Sequence, residues 1–238
     1  MTRSFTLTIS ALLLSTCLHG QTRSETLRWT INAGVTYSNA TGDVDNESFV
    51  DIDSKNIYTN GSAGKEFIVG KKLGLGISKD ISQWLSFMAD FNYEEKGSKI
   101  PITSYSYIKE DKRIQQKIDE KASIKLKYLI LPLKVELRYK QLSLEGGLYG
   151  GFLLNAYDYG EINAISYKYD KSGLYTKFDG GITLGIGTRI KVSDKNRIKV
   201  GLGGSWNLPG NQSILAGSGS SNFYNQTYSI DLKFERKF

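Results

Sequence analysis

Apolar and polar residues alternate one for one along most of the chain from residue 27 onward. In LRWTINAGVTYS, Leu27, Trp29, Ile31, Ala33, Val35 and Tyr37 fall on one side, and Arg28, Thr30, Asn32, Gly34, Thr36 and Ser38 on the other. A period of two marks a strand whose two faces meet different environments. EFIVGKKLGLGIS, WLSFMADFNYE, KLKYLILPLKVELRYK, LSLEGGLYGGFLLNAY, KFDGGITLGIGTRIKV, RIKVGLGGSWN and the final YSIDLKFERKF repeat the pattern, which predicts eight strands. The connections alternate in length. SKDISQ (78–83), Lys140-Gln141 and SDKNR (193–197) are short, whereas about 39–65, 95–123, 158–176 and 208–223 are long. An even number of antiparallel strands, with short turns at one end and long loops at the other, describes an all-β, up-and-down transmembrane barrel. Each strand is near the ~9–11 residues that a tilted strand needs to cross a bilayer.

Two places break the pattern. Lys71 falls among the apolar positions of its strand, so it either snorkels to the external rim or is turned away by a bulge at Gly70-Lys71-Lys72. In the fourth strand, Leu129, Leu131, Leu133, Val135, Leu137 and Tyr139 share one parity, while Ile124, Leu126 and Tyr128 upstream carry the other. A bulge between Tyr128 and Pro132 would reconcile them, since Pro132 lacks a ladder donor.

Alternation does not say which face points inward, and a soluble barrel with an apolar interior shares it. Three features favour apolar-out. The polar faces hold Arg28, Lys72, Asp90, Lys134, Glu136, Arg138, Glu145, Asp179, Arg189, Lys199 and Asp231 among many glycines, as a narrow interior filled by paired charges would require. Trp29, Trp84 and Tyr139 fall at the short-turn ends, and Tyr37, Tyr93 and Trp206 at the long-loop ends, which is the pattern of two aromatic girdles. The chain finishes on an alternating strand with Tyr228, Ile230, Leu232 and Phe234 on one face and Phe238 at its end. A last strand that zips against the first leaves no edge open in lipid.

The chain has 238 residues with 25 glycines and three prolines, and no apolar run long enough for a spanning helix. Residues 1–20 read as a secretory signal, with Arg3, a short apolar core and Gly20 before Gln21, leaving 21–238 as the barrel domain. Lipidation at Cys17 is the competing reading of the same segment. Removing the segment takes away the only cysteine, Cys17, and the only histidine, His19. Disulfides, cysteine nucleophiles, Ser-His-Asp triads and His or Cys metal sites are then excluded, so no cofactor, metal or catalytic residue is expected. The net charge of +7 on an exported chain points to an anionic surface, not to nucleic acid. Gly74-Leu75-Gly76 and Gly185-Ile186-Gly187 lack the third glycine and following helix of a phosphate loop and read as interior strand glycines.

YLILPLKVELRYK followed at once by LSLEGGLYGGFLL resembles the central hairpin of the Bacteroidota outer-membrane β-barrel family, the PorT-like group. The residues that carry the likeness are Tyr128, Leu129, Pro132, Leu133, Gly147 and Gly151, with Phe178, Asp179, Gly181, Gly185 and Gly187 in a later strand. Ile130 stands where that family often has glutamate. The resemblance implies an outer-membrane location; the loop lengths put both termini on the periplasmic side, and the closing strand resembles the signal by which bacterial barrels are recognised by the barrel-assembly machinery. The family resemblance implies little about activity. The barrel enzymes known as families (phospholipase, omptin-type protease, lipid A palmitoyltransferase) rely on a histidine, which residues 21–238 lack. The expectation is therefore a non-enzymatic structural or interaction barrel with a charge-filled lumen. Its partners would be outer-membrane lipid, lipopolysaccharide and envelope proteins reached through the external loops. A small porin-like channel for polar solutes is the alternative, with a carboxylate-only hydrolase more distant.

Overall fold

The computed structural model describes residues 26–42, 48–49, 56–59, 66–110, 112–162, 165–208, 213–216 and 219–238. The expected signal segment, with Cys17 and His19, lies outside the described residues. Eight long strands form the wall: Thr26–Gly42 (β1), Glu66–Asp80 (β2), Leu85–Lys109 (β3), Lys112–Tyr139 (β4), Leu142–Ile162 (β5), Phe178–Lys191 (β6), Asn196–Asn207 (β7) and Gly219–Lys237 (β8). Every strand pairs antiparallel with its neighbours in sequence, and β8 pairs with β1 to close the ring. That closing ladder runs from Arg28↔Lys237 to Gly42↔Phe223, and Phe238 N donates to Leu27 O at 3.2 Å. An apolar wall with an unpaired edge would leave backbone donors without partners in hydrocarbon, so closure is what permits it.

The apolar faces point outward. Leu184, Leu202 and Ile230 are 53%, 58% and 61% exposed. A broad apolar band of this kind cannot face water, so it faces lipid. From Trp29 to Tyr37 along β1 the band is roughly 21 Å tall, taking ~3.4 Å per residue and a strand tilt near 40°. Trp29 lies against Phe234 at the short-turn end, with ring centroids 5.6 Å apart. At the other end Tyr37 stacks on Phe67 at 4.3 Å, Phe67 meets Tyr228 at 6.1 Å, and Tyr228 meets Trp206 edge-on at 6.2 Å. Phe152 and Phe178 continue that belt, 5.4 Å apart. Trp84 sits in the turn after β2, Tyr139 is exposed beside the Lys140-Gln141 turn, and Tyr93 donates to Glu95 at 2.9 Å. Phe67, Phe152, Phe178 and Phe234 belong to the same belts, although the sequence pattern did not assign them to a girdle.

Lys71 stays on the outer face. The β2–β3 register does shift between Phe67 and Lys72, but β2 keeps its own alternation, with Val69 and Lys71 exposed and Ile68 and Gly70 buried.

The predicted bulge in β4 is not there. Ile124, Leu126, Tyr128, Ile130 and Pro132 are all buried on the same inward parity as Glu136, so β4 runs through without a flip. The irregularity lies across the ladder in β5, where Lys127 pairs with Asn155 and Tyr128 with Leu153. β4 therefore changes its inward chemistry, not its direction. It presents charge toward the short-turn half and apolar side chains toward the long-loop half.

β3, β4 and β5 are 25, 28 and 21 residues long, well beyond the length that crosses a bilayer. Their outer halves continue as a sheet beyond the belt. Asn56–Thr59 pairs with Ser104–Tyr107 of β3, Ser48–Phe49 pairs with that segment, and Ile165–Asp170 pairs with Tyr157–Ile162 of β5. The β3–β4 hairpin reaches roughly 40 Å past the arch at Lys96 described below, at ~3.3 Å per residue.

Candidate functional site

The interior is filled in two storeys. In the short-turn half, charged side chains from every strand meet in one chain of ion pairs. Asp80 binds Arg28 at 3.1 Å and Arg138 at 2.9 Å. Arg138 approaches Glu136 at 3.8 Å. Glu136 accepts from Arg189, from Lys199 at 2.8 Å and from Ser86 at 2.9 Å. Arg189 also reaches Glu235 at 3.2 Å. Lys199 bonds Glu145, Glu145 accepts from Lys134 at 2.8 Å, and Lys134 and Lys233 meet Asp90 at 3.1 and 3.0 Å. Lys72 and Asp231 pair separately at 3.1 Å.

Small residues make room for these groups. A Cβ on Gly187 would come within 2.6 Å of Lys199 Cε, and one on Gly76 would collide with Asp90. Gly74 and Gly185 face inward too, in place of any phosphate loop.

The long-loop half is apolar and aromatic. Ile124, Leu126, Tyr128, Ile130, Tyr149, Leu153 and Ala156 form one buried cluster, with Tyr175 packed on it. Lys96 is buried in its midst. Its ammonium lies 3.3 Å from Asp179 and 3.8 Å from Glu94, with the rings of Tyr149 and Tyr128 at 4.6 and 5.5 Å. A buried ammonium needs both a counter-charge and a polarisable surround, and this one has each.

Lys96 reaches that position because β3 arches inward over β2. Thr36 Oγ1 of β1 donates to Glu95 O at 2.7 Å, and Gly97 N donates to Ser38 Oγ at 2.8 Å, although β2 lies between these strands. Two glycines permit the crossing. Gly70 faces the Glu95 carbonyl, and Gly97 holds φ at +149°, where a Cβ would strike Ile124 O. Gly97→Ala is expected to lower the unfolding free energy by about 1–3 kcal/mol, read as a lower urea midpoint in detergent. An unchanged midpoint would mean that the arch is not held at this residue.

All eleven charged residues singled out from sequence lie on the inner face, and the ion pairs bring them together except that Lys72–Asp231 and Asp179 stand apart from the main chain. The sequence reading missed Lys233, Glu235, Asp80, Glu94 and Lys96 as members. Lys233 and Glu235 share the parity of Asp231 and could have been included on that ground. Lys96 and Asp80 fall in a long loop and a short turn of the sequence pattern, where parity carries no face. With the missed residues included, the named pairs contain eight cations and eight carboxylates. Within these pairs the charges cancel; Arg197, partly buried and opposite Glu235 in the ladder, adds one cation at the short-turn end. The internal space beside Asn32, Asp90, Lys134 and Glu145 is about 60 Å³, room for a few waters.

Above the apolar cluster, beyond the belt, Asp158 is buried at 2% exposure. Among the described residues neither of its carboxyl oxygens accepts a hydrogen bond from the protein. Burial pushes its pKa up to about 6, against the opposing pull of Lys171. Burial, and then the charge of Asp158, raise the Tyr175 hydroxyl as well. The segment that covers Asp158 is tied to β5: Lys171 N donates to Ala156 O at 2.9 Å and Ala156 N to Ser172 Oγ at 2.9 Å.

Among the described residues no group of three or more His, Cys, Asp or Glu side chains is arranged to hold a metal ion. No helix is long and apolar enough to cross a membrane, which says nothing of a chain that crosses with strands.

Solved structures of barrels superpose loosely on the chain. Neisserial surface protein A has 9% identity and a TM-score of 0.40, over 88% of this chain and 97% of that one. The outer membrane protease OmpT from Escherichia coli has 10% and 0.40, over 92% and 99%. Ail, the attachment invasion locus protein of Yersinia pestis, crystallised with the heparin analogue sucrose octasulfate, has 10% and 0.39, over 88% and 98%. Similarity at this level carries no inference about function. Among curated proteins none matches in sequence. The profile of the outer membrane protein beta-barrel domain matches residues 19–212, which span β1 to β7. With the closed apolar-out ring already described, that match makes the chain a member of the outer membrane protein beta-barrel domain family, located in the bacterial outer membrane.

Proposed function

We propose that this is a non-enzymatic barrel of the PorT-like kind, sealed through its lumen and acting through the sheet that stands outside the membrane. The observation that carries the reading is the double filling of the interior. Balanced ion pairs occupy one half, and an apolar cluster under the β3 arch occupies the other. A solute would have to displace both. Residues 21–238 hold no histidine or cysteine, which removes the usual nucleophile and base pairings. The residue match to the PorT-like hairpin supports the subgroup. Sheet edges are ready-made docking sites for other chains, and the external sheet ends on two short strands, Ser48–Phe49 and Ile165–Asp170. Envelope proteins are the partners that such edges suit. The C-terminal strand, from Tyr228 to Phe238, is the segment proposed to be read by the assembly machinery.

Planar-bilayer recording tests the sealed lumen. The expected result is no stable single-channel step at moderate voltage. Reproducible steps would instead favour the small-channel reading, in which the water-sized space beside Asp90 widens into a path.

A further inference from the structure

Just above the Phe152–Phe178 pair, the outer face of β4, β5 and Ile165–Asp170 carries a cluster that the lumen does not involve. Lys127 pairs across the ladder with Asn155, Lys125 with Tyr157, and Tyr159 with Lys168. Each ammonium lies over a ring. Lys168 and Lys127 are 4.5 and 5.4 Å from the centroid of Tyr157, and Lys125 is 5.7 Å from that of Tyr159. The rings hold the flexible stems against the sheet, so the three charges stand together on one surface.

Their local partners are few. Lys125 has a distant one, Glu95 at 3.8 Å, and that carboxylate already accepts from Tyr93. Asp170 is near, but its Oδ1 takes two hydrogen bonds from Ser172. Among the described residues, Lys127 and Lys168 have no carboxylate partner, and the hydroxyls of Tyr157 and Tyr159 have no hydrogen-bond partner in the protein. Among the described residues, two of the ammonium groups and both hydroxyls have no acceptor, and the third ammonium has only Glu95 at 3.8 Å.

Height selects the acceptor. Leu129 pairs with Phe152 in the belt, and Lys127 is two residues further out. At ~3.4 Å per residue and a tilt near 40°, Lys127 lies about 5 Å above the belt and Lys125 about 10 Å above it. That is the headgroup layer and its outer margin. The cluster faces sideways, toward neighbouring lipid, and not toward the barrel mouth. The outer leaflet there is phosphorylated glycolipid, whose phosphates repel one another unless cations lie between them.

We propose that Lys125, Lys127 and Lys168, with the hydroxyls of Tyr157 and Tyr159, bind phosphate groups of lipopolysaccharide beside the barrel wall. The proposal rests on the reading that the long-loop end is external, and it names a lipid partner for that end. Lysine–phosphate attraction at a membrane surface is additive and screened by salt.

The test compares unfolding rates in mixed phosphatidylcholine–lipopolysaccharide vesicles with those in vesicles made from the same glycolipid after dephosphorylation, both with chelator. Folded and unfolded forms are separated by heat-modifiable gel migration. The wild-type chain is expected to unfold about tenfold more slowly with the phosphorylated lipid, the scale of one to two such attractions. K125Q/K127Q/K168Q is expected to lose that difference, and K125R/K127R/K168R to keep it. A wild-type rate indifferent to dephosphorylation, or a glutamine variant that still responds, would overturn the site. If the glutamine variant fails to fold, Y157F/Y159F takes its place and should show a reduced response; a full response from it would overturn the proposed role of the hydroxyls. Inorganic phosphate added to plain phosphatidylcholine vesicles should not protect; protection equal to that of the lipid would make the ligand free phosphate and overturn the lipid assignment. None of these outcomes touches the sealed-lumen reading, which stands or falls on conductance.

Discussion

Glu136→Leu should lower the unfolding free energy by about 3–5 kcal/mol, the range for removing one member of a buried ion cluster. Glu136 is fully buried and is the branch point of the lumen network. It holds Arg189 and Lys199 and accepts from Ser86. Leucine would leave Arg189 with Glu235 alone and Lys199 with Glu145 alone, whereas Arg138 would keep Asp80 and the carbonyls of Ser82 and Leu85. The cost comes from cations stranded at low dielectric more than from the lost attraction, because the attraction itself is largely offset by desolvation. Glu136→Gln keeps an acceptor for Ser86 and is expected to lose less. Urea titration of detergent-solubilised protein measures both. Equal midpoints for wild type and Glu136→Leu would mean that water or neighbouring carboxylates replace Glu136, and the lumen would then not be a dry plug.

The second large effect runs the other way. Asp158→Asn should stabilise the protein at neutral pH by up to about 3 kcal/mol and leave it nearly unchanged at pH 4. Burial raises the Asp158 carboxyl from its ordinary 3.8 to about 6. The folded chain therefore binds this proton more tightly than the unfolded chain does. Between about pH 4 and pH 6 the folded state holds more protons, so stability falls as pH rises through that window and levels off above it. About two pH units at ~1.36 kcal/mol each set the size. An amide carries no charge to desolvate, so the variant's profile should be flat over the same window. A wild-type profile already flat between pH 4 and pH 7 would show that Asp158 is solvated when ionised. Lys171, which opposes the shift, is the group that would then have moved to it.

These two residues differ in how far the sequence exposes their roles. Glu136 sits in an unbroken two-residue alternation, so its inward face follows from Leu133, Val135 and Leu137 being outward. Asp158 lies past the β5 irregularity at Leu154 and Asn155, where parity is lost. Nothing in YDYGEI says that its carboxylate is enclosed, because the enclosure comes from residues 171–175 folding back onto Ala156.

The same division runs through the whole molecule. Strand count, alternating loop lengths, the outward apolar faces and the closing strand were all readable, because each depends on residues one or two positions apart. Most of the lumen charges were readable for the same reason, but Lys96 and Asp80, which fall in a loop and a turn of the pattern, were not. The pairing of the charges was not readable, since it joins strands far apart in the chain, as Lys233 and Asp90 do. The fourth strand shows the limit most clearly. Ile124, Leu126 and Tyr128 have the parity of lumen residues and the chemistry of lipid-facing ones, and local pattern resolves that conflict with a bulge. In the folded protein they face inward, because the β3 arch, Tyr149 and Leu153 give them an apolar interior to bury against. Local spacing dictates which side of a strand a residue occupies; whether that side is wet, greasy or charged depends on what the other strands bring to it.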